Sequence, residues 1–172
     1  EKIQIEPKLI PENPKERSQA QIIENWADTT LAKSIKIVFL EELIKSPSLV
    51  SLLVPNEISE SMKNFFVNIP SNISSQIYGL INQKEKESLK LNLDYLTNSV
   101  KKENFLVGKE LSIADISVAS QLSLLCFPIS SGETLEGKGC SLFVNDPSLK
   151  SLFKWRDSIE DIVTTLNHNE SC

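Results

Sequence analysis

Apolar side chains recur every three or four residues along most of this chain, and that spacing limits its possible folds more than any other feature. The clearest stripe covers residues 23–39 and predicts one face of a helix that begins near residue 14 and ends near Lys45. We find no stretch in which apolar and polar residues alternate over the length of a strand, and no internal repeat. The sequence therefore predicts an all-α fold, a bundle of about five to seven helices.

Two helix starts have the same form, a capping residue followed by proline, at Asn13-Pro14 and at Asp146-Pro147. An Asn or Asp side chain accepts hydrogen bonds from the free amides of the first turn, and proline in the first helical position sacrifices no hydrogen bond. We therefore expect the first helix to begin at Pro14 and the last to begin at Pro147. The apolar stripe of this last helix consists of Leu149, Leu152, Phe153, Ile159, Val163 and Leu166.

The remaining helices are expected in the middle of the chain. Residues 89–100 carry a leucine stripe that predicts a helix, and residues 112–126 predict another that ends before Pro128. Residues 58–66 predict a shorter helix, and residues 73–81 resume the helical period around a glycine that weakens the pattern. Residues 127–145 contain three glycines and are typical of a long loop.

Length and charge indicate one domain that does not bind nucleic acid or membranes. The chain has 172 residues, of which 40% are hydrophobic, enough for one sizeable core. Its net charge of −5 repels phosphate backbones and anionic lipids, and no apolar run approaches the roughly 20 residues that span a bilayer. Cys126, Cys140 and Cys172 are odd in number and widely spaced, which favours reduced thiols and a cytoplasmic location.

The most specific local pattern lies around residue 112. Ser112 and Asp115 have the spacing of a capping box, in which each side chain bonds the backbone amide of the other residue. Leu111 and Ile116 flank the box with the spacing of a hydrophobic staple. Gly108 lies just upstream and allows the preceding turn a backbone angle that other residues resist. These four residues, Leu111, Ser112, Asp115 and Ile116, are therefore expected to act as a structural helix start.

This region resembles a known family. The Phe105–Gly108 turn, the capping box and the apolar helix after it resemble the sixth-helix region of the C-terminal domain of glutathione S-transferases. Two further segments agree with that domain in order and spacing. They are Asn13–Arg17, which opens a long helix containing Trp26-Ala27-Asp28, and Pro147–Arg156, a late helix with Trp155. The resemblance covers most of residues 13–126 and 146–160.

The resemblance implies a division of the chain and of the chemistry. Residues 13–166 would be the glutathione S-transferase C-terminal-like helical domain, residues 1–12 a residual interdomain linker and residues 167–172 a tail. In the family an upstream thioredoxin-like domain holds the residue that activates the glutathione thiol, and nothing in this chain matches that domain. We therefore expect no catalytic residue here, glutathione as a co-substrate of the parent protein only, and an inactive chain in isolation.

The resemblance also implies roles for residues on the first helix. Trp26, Thr29, Thr30 and Lys33 would face the pocket for a small hydrophobic electrophile, and Asp28 would meet the γ-glutamyl ammonium of glutathione. The same helix forms much of the family's dimer interface, so a homodimer is expected. A second interpretation stays open for two of these residues, with Trp26 as a packed core residue and Asp28 as a solvated charge.

Other kinds of site fit the sequence less well. Residues 132–138 have the spacing of a phosphate-binding loop, but Gly139 replaces the Ser or Thr that should hold magnesium. Cys126, Cys140 and His168 lack the paired spacing of zinc ligands, so no metal site is expected. His168 is the single histidine and lies near the end of the chain, a poor place for a catalytic base. Two alternatives remain open, a non-catalytic protein-interaction module of a multiprotein assembly and a protein that sequesters hydrophobic ligands.

Overall fold

The computed structural model describes residues 8–54 and 83–169. Within these ranges the regular structure is helical, and extended backbone pairs only at an isolated bridge between Cys126 and Gly139. The predicted all-α fold is thus confirmed for this part of the chain. The helices predicted at 58–66 and 73–81 lie outside the described residues. No helix in the described ranges is both long and apolar enough to cross a membrane.

The described ranges contain seven α-helices and one π-helical turn. They are α1 (Pro14–Trp26), a π-helical turn (Ala27–Leu31), α2 (Ala32–Lys45), α3 (Pro47–Leu53), α4 (Gln83–Val100), α5 (Ile113–Leu122), α6 (Ser141–Val144) and α7 (Lys150–Asn169). Short 3-10 turns occupy Ile129–Ser131 and Pro147–Leu149. The segment predicted as a loop at 127–145 therefore contains the one-turn helix α6.

The core forms where α5 lies between its neighbours. Helix α5 packs against α1 on one side and α7 on the other, and α4 closes the bundle against α2 and α7. The apolar stripes predicted from the sequence supply this core, because one face of each helix must be removed from water. Fully buried members from the different helices are Leu31, Ile35, Leu89, Leu93, Val118, Leu122, Leu149 and Leu152.

The two predicted proline-containing helix starts are confirmed. The Asn13 side chain accepts hydrogen bonds from the amides of Lys15, at 2.9 Å, and Glu16, at 3.4 Å. The Asp146 side chain accepts from the amide of Ser148 at 2.9 Å. After Asp146 the chain first makes a 3-10 turn, so α7 begins at Lys150, three residues later than the predicted start at Pro147.

The π-helical turn explains how the first long helix keeps a single buried face. Ala27, Leu31 and Ile35 follow one another at intervals of four residues, and all three are completely buried. An α-helix turns about 100° per residue, so the eight residues from Ala27 to Ile35 would rotate the stripe by roughly 80°. The π turn absorbs one residue, which leaves an offset of only about 20°. The single predicted helix from 14 to 45 is thus continuous but contains this extra residue.

We therefore predict that deleting one exposed residue of the π turn is tolerated. Deletion of Thr30 should restore a regular α-helix and keep both flanking faces in the core, so the free energy of unfolding falls by less than about 1 kcal/mol. Lys36 is exposed in the regular helix α2. Its deletion should lower the free energy of unfolding by more than about 3 kcal/mol, because it rotates the buried face after residue 36 by about 100° relative to the face before it. Urea unfolding of both variants tests this, and equal losses would contradict it.

An ion-pair cluster joins α4 to the start of α7. Lys90 Nζ lies 2.7 Å from a carboxylate oxygen of Asp146 and 2.7 Å from one of Asp94. Lys90 also donates to the Ser148 hydroxyl at 2.7 Å. The hydrogen bond from Lys90, with further bonds from Ser148, lowers the pKa of Asp146 to about 2. The cap that starts the last helix is therefore also an ionic tie to α4.

We predict a pH dependence from this tie. A carboxyl group whose pKa is lowered in the folded state stabilises the fold at pH values above its unfolded pKa of about 3.9. That stabilisation is lost as the pH falls from about 4 to about 2. Asp146→Asn keeps a capping oxygen but removes the charge, so at pH 7 it should cost less than about 1 kcal/mol at this near-surface site. The free energies of unfolding of variant and parent, measured in urea, should converge as the pH falls from about 4. A difference between them that widens would contradict the assignment.

Candidate functional site

The start of α5 is a buried polar structure built around one carboxyl group. Ser112 and Asp115 form a capping box, and both residues are buried. One Asp115 oxygen accepts from the amide of Ser112 at 2.9 Å and from its hydroxyl at 2.8 Å. The other oxygen accepts from the amide of Leu106 at 2.7 Å. Asp115 thus fixes the helix start and also anchors the turn that precedes it.

Burial sets the electrostatics of this carboxyl group. Removal from water raises the pKa of Asp115, and the hydrogen bonds from Leu106 and Ser112 oppose that rise. Its two oxygens are occupied by donors of the same chain, so the group is held in place as an acceptor. This arrangement is that of a structural anchor rather than of an acid or base exposed to a substrate.

The Gly108 turn beside the box requires glycine. Its φ angle is 66°, in the left-handed region that other residues resist. A Cβ atom at this position would also lie 3.2 Å from the carboxylate carbon of Glu16 on α1. The staple predicted from the sequence is less defined, since Leu111 and Ile116 are both partly exposed and only Leu111 is seen to pack on the main core. The contact between these two side chains stays a prediction.

The described part of the lead-in, residues 8–13, is bound to the same site, which the sequence did not reveal. The carbonyl of Leu9 accepts from the amide of Ile113 at 2.9 Å, so the lead-in satisfies a free donor of the α5 start. Arg17 donates through Nε to the carbonyl of Pro11 at 3.1 Å and through Nη2 to that of Glu12 at 3.0 Å. A groove of about 530 Å³ lies between the lead-in and the Gly108 turn.

The residues expected to bind substrate lie at and after the end of α1. Asp28, Thr29 and Thr30 are exposed and adjacent within the π-helical turn, and Lys33 is exposed one turn later. The hydroxyl of Thr29 donates to the carbonyl of Asn25 at 2.6 Å. Trp26 is half-buried and packs against the main core cluster. Asp28, Thr29, Thr30 and Lys33 are therefore accessible from solvent, whereas the Trp26 ring is partly packed into the core.

A buried arginine was missed by the sequence reasoning. Arg156 on α7 is almost completely buried, and its guanidinium lies 2.7 Å from a carboxylate oxygen of Asp157. It also donates to the carbonyl of Cys126 and lies 5.6 Å from the centre of the Phe153 ring. Arg156 therefore links Cys126, in the segment that follows α5, to α7. Nothing in the spacing of residue 156 distinguishes it from an exposed cation on a helix.

Cys126 and Cys140 have the properties of packed side chains. Burial raises the pKa of Cys140 to about 12, and burial also raises the pKa of Cys126 despite the nearby Arg156 guanidinium. Thiols with raised pKa values carry little of the reactive thiolate form at neutral pH. Among the residues that the structure describes, no group of three His, Cys, Asp or Glu side chains is arranged to hold a metal ion.

Comparison with known proteins adds no relative. No protein-family model, no curated protein sequence and no solved structure matches this chain.

We predict that Asp115 is a major determinant of stability. Asp115→Ala leaves the amides of Leu106 and Ser112 without their acceptor, so the free energy of unfolding should fall by about 3 kcal/mol. Asp28→Ala, which removes an exposed carboxylate, should change it by no more than about 0.5 kcal/mol. Thermal and urea unfolding of both variants provide the measurement. An Asp115→Ala protein as stable as the parent would show that the capping box is not what holds this region.

Proposed function

We propose that this chain is the C-terminal helical domain of a glutathione S-transferase-like protein. The observation that carries the proposal is the capping box of Ser112 and Asp115 at a buried helix start, preceded by a glycine turn with positive φ. The helical bundle and the proline start of α1 are in keeping with it. A shared fold alone does not establish a reaction, so the proposal depends on residues as well as architecture.

In this proposal the outer surface of the π turn supplies one wall of the electrophile pocket. Trp26 offers an aromatic edge, and Thr29, Thr30 and Lys33 offer polar contacts to a small hydrophobic electrophile. Asp28 is exposed and offers a carboxylate to the ammonium group of glutathione. In the parent protein a separate thioredoxin-like domain would activate the thiol. The parent protein would be a cytoplasmic homodimer, and glutathione would be its co-substrate.

The test compares the chain with the full product of its gene, which this proposal expects to carry a thioredoxin-like domain as well. The whole product should join glutathione to 1-chloro-2,4-dinitrobenzene, followed by absorbance, whereas the 172-residue chain should not exceed the uncatalysed rate. Asp28→Asn in the whole product should raise the KM for glutathione about tenfold, the equivalent of about 1.4 kcal/mol, with a smaller effect on kcat. Asp161→Asn, an exposed carboxylate on α7, should change neither constant. Conjugation by the chain alone would refute this division of labour.

A second candidate function is a non-catalytic interaction module of a multiprotein assembly. Tyr95 is exposed on α4, and an exposed aromatic side chain is typical of residues that dominate protein interfaces. The coding sequence upstream of Glu1 separates the candidates. A β-α-β segment with a Cys, Ser or Tyr near its first helix favours the enzyme, and an unrelated domain favours the module.

A further inference from the structure

A second groove lies beside α4. It runs between α4 and α6 and has a volume of about 540 Å³. Small-molecule sites in proteins occupy roughly 300 to 1,000 Å³, so the groove has the size of such a site. Leu91 of α4 and Leu142 of α6 line it, and so does Phe143.

The apolar lining of this groove is accessible to a ligand. Leu91 is 69% exposed and Leu142 is 57% exposed, although both are large apolar side chains, while Phe143 is buried. Single exposed leucines are ordinary on protein surfaces. Here Leu91 and Leu142 border one concavity, which the buried Phe143 ring also lines. A bound molecule there would remove apolar area from water. This concave shape favours a compact molecule over a flat partner surface.

The charges around the groove indicate what kind of molecule fits. Lys86 lies 2.8 Å from Glu41, a carboxylate that is itself almost completely buried. Lys90 lies 2.7 Å from both Asp94 and Asp146. Both lysines of the lining therefore already have carboxylate partners within the described chain, and the lining carboxylate Glu87 accepts from the Gln83 side chain at 3.2 Å. An anionic guest would have to compete with those carboxylates, whereas an uncharged guest would leave the pairs intact.

We propose that the groove between α4 and α6 binds small, uncharged, apolar molecules. This site is separate from the π-turn residues of the proposed electrophile pocket, and it does not depend on the proposed transferase function. The apolar body of the guest would cover Leu91 and Leu142, and the paired lysines would form a polar rim that stays hydrated.

The experiment uses N-phenyl-1-naphthylamine, an uncharged probe whose fluorescence rises in apolar surroundings, titrated into the whole chain. The parent should give a saturable rise with one site per chain. Leu91→Gln and Leu142→Gln should each raise the dissociation constant about tenfold. Both side chains are exposed, so these variants should keep the thermal unfolding temperature of the parent.

The matched control is Ile22→Gln on α1, where the isoleucine is 68% exposed and lies outside the groove. This variant should bind the probe like the parent. An equal loss for Ile22→Gln, or unchanged binding for both groove variants, would overturn the site. Tighter binding of the anionic analogue 1-anilinonaphthalene-8-sulfonate at the same residues would overturn the assignment of an uncharged ligand.

Discussion

The structure depends on one buried carboxyl group, that of Asp115. Burying such a group is costly unless donors replace the lost water, and here the donors come from the Phe105–Gly108 turn and from the start of α5. Ile113, the first residue of α5, extends this connection to the lead-in by donating its amide to the carbonyl of Leu9. The lead-in, the Phe105–Gly108 turn and the start of α5 thus meet at one helix end. The position of α5, on which α1 and α7 both pack, follows from that meeting.

The local half of this arrangement could be predicted from the sequence, and the long-range half could not. Ser112 and Asp115 are three residues apart, and Asn13 caps the residues directly after it. In each case a short stretch of sequence contains both the capping residue and the group that it bonds. The bond from Leu106 spans nine residues and the bond to Leu9 spans more than a hundred. Backbone groups carry no residue-specific signal, and no spacing rule connects them. The sequence therefore indicated the helix start but not what it holds.

Two other features show where sequence reasoning stopped. The interval of four residues at Ala27, Leu31 and Ile35 does contain the signal of the π turn, because an ideal α-helix would let that stripe drift. The tight approach at Gly139, where a Cβ atom would lie 2.3 Å from the carbonyl oxygen of Leu125, shows only as a glycine in a glycine-rich segment. That glycine makes possible the bridge to Cys126, so part of the predicted loop is firmly shaped.

The π turn also determines which side chains the first long helix presents to solvent. Ala27 and Leu31 are buried, and the three residues between them, Asp28, Thr29 and Thr30, are exposed. A regular α-helix with the same core contacts would have one residue fewer in that position. The extra residue therefore enlarges a polar surface without disturbing the packing beneath it. The groove beside Leu91 lies on a different helix, so the two proposed sites occupy separate parts of one bundle.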